Sequence, residues 1–101
     1  MRTARVTVDW TPPEQGGRAT PVGGPRYVAI SRFDDDGPNW PDGAWSVVLE
    51  FPQGTDPGSS PVIVNAHFLM EDAPHERLRP GATFTLHEGR KEVGRVHVVA
   101  S

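Results

Sequence analysis

The chain has 101 residues and a mass of 11.0 kDa, with 36% hydrophobic residues, eleven glycines and eleven prolines. This length fits one domain, and the glycine and proline content argues against a helix bundle because both residues disfavour helices. The sequence has no apolar run long enough for a membrane helix and no cysteine for disulfide or thiolate chemistry. We expect a single β-rich domain over residues 1–101, away from membranes and in the cytoplasm, because residues 1–10 do not read as a signal peptide.

Charge is unevenly distributed along the chain. Residues 1–32 hold five arginines and two acidic residues, and residues 77–101 hold five basic and two acidic residues. Between them, residues 33–76 hold nine acidic residues and neither lysine nor arginine. Such a distribution serves solubility, or it produces a polarised surface that orients a partner.

Alternation of apolar and polar residues with a period of two predicts six strands. In the first, Ala4, Val6 and Val8 share one face. Loops rich in glycine and proline separate the segments, and six such strands fit a closed barrel or a sandwich. The predicted strands cover residues 3–10, 26–33, 44–51, 62–70, 83–88 and 92–100.

The last two strands read as a hairpin that turns at Gly89 and Arg90. Val93 then lies opposite Leu86. Strict alternation would put the later apolar residues of this strand on the other face, unless the strand contains one extra residue. We therefore predict a β-bulge near Gly94 and Arg95, which puts Val96, Val98 and Ala100 on the face of Val93. His87 and His97 are expected on the outer face of this hairpin, where protonation would add positive charge.

The sequence carries no recognisable catalytic, metal or nucleotide motif. No serine lies in a nucleophile elbow, and the four histidines lack the spacing of metal ligands. Residues 34–39 resemble a calcium loop only in their first three aspartates, because Pro38 stands where an acidic or amide ligand belongs. The glycine pairs do not open a phosphate loop. We expect no catalytic residue, no metal site and no cofactor.

Trp40 lies in the polar loop after the second strand and allows two interpretations. Its indole folds back over the barrel, or it is an exposed anchor for a partner, since tryptophan is enriched at binding hot spots. Beside so many carboxylates, an exposed indole suits a basic protein partner better than a nucleic acid. The candidate protein-binding residues are Trp40, Asp34, Asp35, Asp36 and Asp42.

Two segments carry a family resemblance. Residues 14–22 read EQGGRATPV and are followed by GPRY at 24–27, while residues 84–94 read FTLHEGRKEVG. They resemble, in the same order, three runs of the C-terminal barrel, or third domain, of bacterial elongation factor Tu. These runs are Glu-Gly-Gly-Arg-x-Thr-Pro, Gly-Tyr-Arg-Pro-Gln-Phe, and Phe-Ala-hydrophobic-Arg-Glu-Gly-Gly-Arg-Thr-Val-Gly. The resemblance implies a six-stranded antiparallel Greek-key barrel standing alone, without the domain that binds GTP.

The resemblance also implies contacts with aminoacyl-tRNA and with other protein domains, but this sequence departs from the family at the RNA-contacting positions. Asp34, Asp35 and Asp36 replace a threonine-rich segment, and Arg90 replaces the second glycine of the hairpin, where a side chain blocks close approach of the backbone. Lys91 keeps the positive charge of the following arginine.

Two functions follow from these observations. The first is a non-catalytic protein-interaction module, which the resemblance links to translation in a bacterium and whose partner is another protein or a second copy of the chain. The alternative is an RNA-binding domain, tRNA included, with a basic face formed where the first and last strands meet. That alternative uses Arg18, Arg26, Arg90, Lys91 and Arg95.

Overall fold

The computed structural model describes residues 3–101 and contains six strands joined by loops. All six predicted strands are present. The first and second are each one residue shorter than expected, while the third lacks residues 44, 45 and 51 and the fourth lacks residues 69 and 70. Two short 3₁₀ turns, Pro13–Gln15 and His75–Arg77, interrupt the loops. The strands are β1 (Ala4–Trp10), β2 (Arg26–Arg32), β3 (Ser46–Glu50), β4 (Val62–Phe68), β5 (Thr83–Glu88) and β6 (Lys91–Ala100).

The strands close into one antiparallel barrel in the order β1-β4-β3-β2-β5-β6. β1 completes the ring by pairing with both β4 and β6. The expected all-β barrel is therefore confirmed, although β2 pairs with β5 only at residues 30–32. Within residues 3–101, no helix is long and apolar enough to cross a membrane.

The core fills the inside of the barrel with one face of every strand. On β1, Ala4, Val6 and Val8 point inward and are almost completely buried, as the alternation predicts. Burial of each large aliphatic or aromatic side chain stabilises the fold by about 1.5–3 kcal/mol, so this shared interior is the main source of stability. The largest fully buried core side chains include Phe68, Leu49, Leu86, Val64, Val93, Val96 and Val98.

A β-bulge in the last hairpin is present, one residue before the predicted position. Leu86 pairs with Gly94 while His87 pairs with Glu92, so Val93 is the extra residue on β6. The bulge lets Val93 face inward together with Val96 and Val98.

A second register shift, beside Arg5 and Val6 of β1, affects the end of β6. There Arg5 pairs with Ala100 and Val6 with Val98, so Val99 is the extra residue. The prediction that Ala100 joins the buried face is therefore wrong, because Ala100 is exposed beyond this shift.

The two ends of the barrel differ in charge. One end carries the connections 33–45 and 69–82, which hold seven acidic side chains and two arginines; we call it the acidic end. The connections at the opposite end, 11–25, 51–61 and the turn at 89–90, hold two acidic and two basic side chains. The charge polarity expected from the sequence therefore runs between a negative end and a nearly balanced one.

Candidate functional site

The aspartate run at the acidic end is held in place by Arg77. Asp36 accepts a hydrogen bond from the backbone N–H of Phe33 at 2.8 Å and another from Arg77 Nη1 at 3.2 Å. Arg77 Nη2 lies 3.5 Å from Asp35, and its guanidinium covers the ring of Phe33 at 4.9 Å. Asp34 and Asp35 remain exposed, so the loop presents negative charge from a fixed backbone.

Trp40 is buried and does not serve as an exposed anchor. Only 9% of the residue is accessible, and its Nε1–H donates to the carbonyl oxygen of Ser31 at 3.0 Å. The indole covers the outer wall of the barrel, where it packs against His87, and the guanidinium of Arg32 lies 5.0 Å from the ring centre. The structure thus agrees with the interpretation in which the indole of Trp40 folds back over the barrel. Asp42, two residues later, is exposed in the following turn.

His87 lies on the outer face of β5, as expected, but Trp40 covers it. The residue is 5% accessible, and its Nε2 lies 2.8 Å from the hydroxyl of Thr85. Burial lowers the pKa of His87 because the charged imidazolium loses hydration. His87 therefore does not contribute to a basic outer surface, whereas His97 is exposed.

An exposed apolar pair at the acidic end was missed in the sequence because it was assigned to the fourth strand. Leu69 and Met70 follow β4 and are 45% and 54% accessible. The N–H of Leu69 donates to the carbonyl of Ser46 at 3.0 Å, which fixes the pair beside the start of β3. The exposed Glu71 and Asp72 follow directly. The signal in the sequence was the adjacent apolar pair itself, which breaks the period-two pattern.

Arg18 belongs to an ion-pair cluster at the opposite end of the barrel. Its Nη1 donates to the carboxylate of Glu88, which also accepts a hydrogen bond from the hydroxyl of Tyr27. The guanidinium lies 5.5 Å from the centre of the Tyr27 ring. Hydrogen bonds from Tyr27 and Arg18 lower the pKa of Glu88, while burial, followed by the Glu88 carboxylate, raises the pKa of Tyr27. The hydrogen bond between Arg18 and Glu88 also raises the pKa of Arg18.

The other four candidate RNA-binding residues are exposed, and three of them lie opposite acidic residues in the sheet. Arg26 pairs in register with Glu50, Lys91 with Glu88, and Arg95 with Asp9. β1 and β6 are neighbours, as the RNA hypothesis requires. Each of these three basic residues faces an acidic residue across a different pair of strands, however, so they do not form a continuous basic face. Arg90 projects from the tip of the β5–β6 turn.

The part of the chain that the structure describes contains no group of three or more histidine, cysteine or acidic side chains arranged to hold a metal ion. Comparison of the sequence with protein-family models and with curated proteins gave no match to this chain.

Proposed function

We propose that this chain is a non-catalytic protein-binding module whose acidic end docks on a basic, partly apolar surface of another protein. The observation that carries the proposal is the position of Leu69 and Met70. Two accessible apolar side chains stand beside Glu71 and Asp72. An apolar centre with a charged rim is the usual composition of a protein interface, and the rim sets the charge of the partner.

The acidic end offers a rigid platform for such a contact. Arg77 ties the aspartate run to the 3₁₀ turn His75–Arg77, and the indole of Trp40 fixes the middle of the 33–45 connection. Asp42 is four residues from Ser46, which places it within about 14 Å of the site where Leu69 pairs with β3. Binding to an ordered surface avoids much of the entropy cost of arranging loops.

The resemblance to the third domain of elongation factor Tu is also a proposal. The strand order β1-β4-β3-β2-β5-β6 supports a Greek-key barrel of that type, since β2, β3 and β4 are consecutive neighbours and β1 returns beside β4. From this resemblance alone we propose a partner within the translation machinery.

One feature favours the RNA alternative. Arg32 and Arg95 pair in register with Thr85 from either side, and the three residues line a common cleft. Asp34 and Asp36 line the same cleft, which opposes a phosphate chain. The protein-binding function is therefore the better supported of the two.

The test is a pull-down with the full chain as bait, with and without nuclease and at low and high salt. The double variant Leu69→Ser/Met70→Ser and the variant Asp34→Asn/Asp35→Asn should both lose the partner. The matched controls are Ile63→Ser, an equally exposed apolar residue on the outer face of β4, and Glu14→Gln at the opposite end, and both should retain it. Nuclease-sensitive recovery of RNA, or equal loss in the controls, would contradict the proposal.

A further inference from the structure

A cavity of about 340 Å³ lies at the end of the barrel opposite the acidic end. It is bounded by the 11–25 connection, by residues 58 and 60 of the 51–61 connection, and by β6 through Val93. Its volume is at the lower end of the range for small-molecule sites, so it fits a small ligand. The apolar walls are formed by Trp10, Pro12, Pro13, Pro21, Val22 and Val93.

The walls of the cavity are fixed by hydrogen bonds and close packing. Trp10 donates its Nε1–H to the carbonyl of Pro57 at 2.8 Å and its backbone N–H to Ser60 Oγ at 3.0 Å. Its ring lies against Gly94, where a Cβ atom would stand 3.1 Å from Cε3 of the indole. The site is thus preformed, and a ligand does not have to order its walls.

The polar side chains around the cavity can all donate hydrogen bonds, and none of those described is an acceptor only. Several backbone carbonyls nearby already accept bonds: that of Pro12 from Gly17, that of Pro57 from Trp10, and that of Thr20 from Arg18 Nε. The cavity is lined in addition by the hydroxyl-bearing residues Thr11, Thr20 and Ser60. No acidic side chain is among the described residues that line it. An acceptor-rich ligand group therefore suits this cavity better than a donor-rich one.

Arg18 lies at the edge of the cavity and offers hydrogen-bond donors there, although its charge is paired with that of Glu88. Its Nη1 is bound to Glu88 and its Nε to the carbonyl of Thr20, so the guanidinium is held in one orientation. Among the described residues, Nη2 of Arg18 has no hydrogen-bond partner. A fixed guanidinium with spare N–H groups is well suited to binding a carboxylate.

We propose that this cavity binds a small carboxylic acid with an apolar body. The apolar body packs between Trp10 and the prolines, and the carboxylate accepts hydrogen bonds from Arg18 and from the hydroxyl of Thr20. The site is separate from the acidic end, so the inference does not depend on the proposed protein-binding function.

The test uses 3-phenylpropionate as the probe and two-dimensional ¹H–¹⁵N NMR of the full chain as the readout. The indole N–H of Trp10 and the amides of residues 11–22 should shift in a saturable way, with a dissociation constant of about 1 mM. The uncharged 3-phenylpropanamide should bind about tenfold more weakly, because it lacks the charge-assisted bond to Arg18. Equal binding of the two probes, or the absence of saturable shifts in this region, would overturn the proposal.

Two variants separate loss of the site from loss of the fold. Thr20→Trp places an indole in the mouth of the cavity, keeps the backbone carbonyl that Arg18 contacts, and should weaken probe binding at least about tenfold. Thr3→Trp, an exposed threonine at the other end of the barrel, is the matched control and should bind the probe as the unmodified chain does. Arg18→Gln should abolish the preference for the acid over the amide. Unchanged binding by Thr20→Trp would show that the probe binds elsewhere.

Discussion

The indole of Trp40 and the imidazole of His87 pack edge to face on the outer wall of the barrel, with ring centroids 4.5 Å apart and planes inclined by 62°. Edge-to-face contacts of this kind stabilise by about 0.5–1.5 kcal/mol beyond the area they bury. The contact connects the middle of the 33–45 connection to β5, which is remote in sequence. It therefore links the position of the acidic end to the integrity of the barrel wall.

Replacing Trp40 by alanine should destabilise the protein by about 3 kcal/mol, because the change removes a large buried side chain and exposes the wall beneath it. Trp40→Phe should cost less, about 1 kcal/mol, since packing survives and only the bond to Ser31 is lost. Urea denaturation of the three proteins measures both differences. A Trp40→Ala protein of unchanged stability would mean that the indole does not pack on the barrel wall.

The folded protein should lose stability as the pH falls below about 6.5, through His87. The pKa of His87 is lowered in the folded state from its ordinary value of 6.5. On acidification the unfolded chain therefore takes up a proton at this residue before the folded chain does, and the free energy of unfolding decreases. The stabilisation that neutral His87 provides is present above the pKa of this residue in the unfolded chain. It is lost as the pH falls through the lower pKa of the folded state.

His87→Gln removes this titration and should flatten part of the dependence of stability on pH. Chemical denaturation of both proteins between about pH 5 and 8 gives the comparison. Arg32 and Glu92 influence the same imidazole, so neither should be altered in this experiment. Identical slopes for the two proteins would contradict the lowered pKa.

Glu88→Gln should lower the pKa of Tyr27 and cost about 1 kcal/mol of stability, because the Arg18–Glu88 pair is partly exposed to solvent. The Glu88 carboxylate raises the pKa of Tyr27 through a hydrogen bond and its charge, so removing that charge makes the phenol easier to ionise. Tyr27 is the single tyrosine of the chain, so tyrosinate absorbance reports it directly. Glu92→Gln, on the exposed side of the same hairpin, should leave the titration unchanged.

The barrel was predictable from the sequence because period-two alternation identifies which face of each strand is buried. The bulge at Val93 was also predictable, since without an extra residue the valines of β6 would change faces. The burial of His87 was not predictable, because it depends on Trp40 crossing from a distant loop. The closed order of the strands depends on contacts between distant segments, such as β1 with β4, which alternation does not encode.

The candidate sites were predicted less completely, because they too depend on contacts between segments that are distant in the sequence. The sequence identified the acidic residues but left Trp40 either folded back or exposed as an anchor, because an aromatic residue in a polar loop allows both until its partner Ser31 is known. Arg18 pairs with Glu88, which is 70 residues away, so no local pattern in the sequence identifies its partner. The apolar cavity depends on two loops meeting over Trp10, and no local pattern signals that arrangement.

Gly17 should be the glycine least tolerant of substitution, because the 11–25 connection folds tightly over it. A Cβ atom at Gly17 would stand 1.8 Å from the carbonyl oxygen of Thr11, and the N–H of Gly17 also donates to Pro12. Gly17→Ala therefore requires the backbone to move and should destabilise the protein by about 3 kcal/mol or more.

Gly37→Ala is the matched control, since a Cβ there meets nothing within 4 Å and the φ of Gly37 is not in the left-handed region. That variant should be neutral or slightly stabilising, because alanine restricts the unfolded chain. Thermal and urea denaturation distinguish the two, and a Gly17→Ala protein as stable as Gly37→Ala would show that this connection is looser than the structure describes.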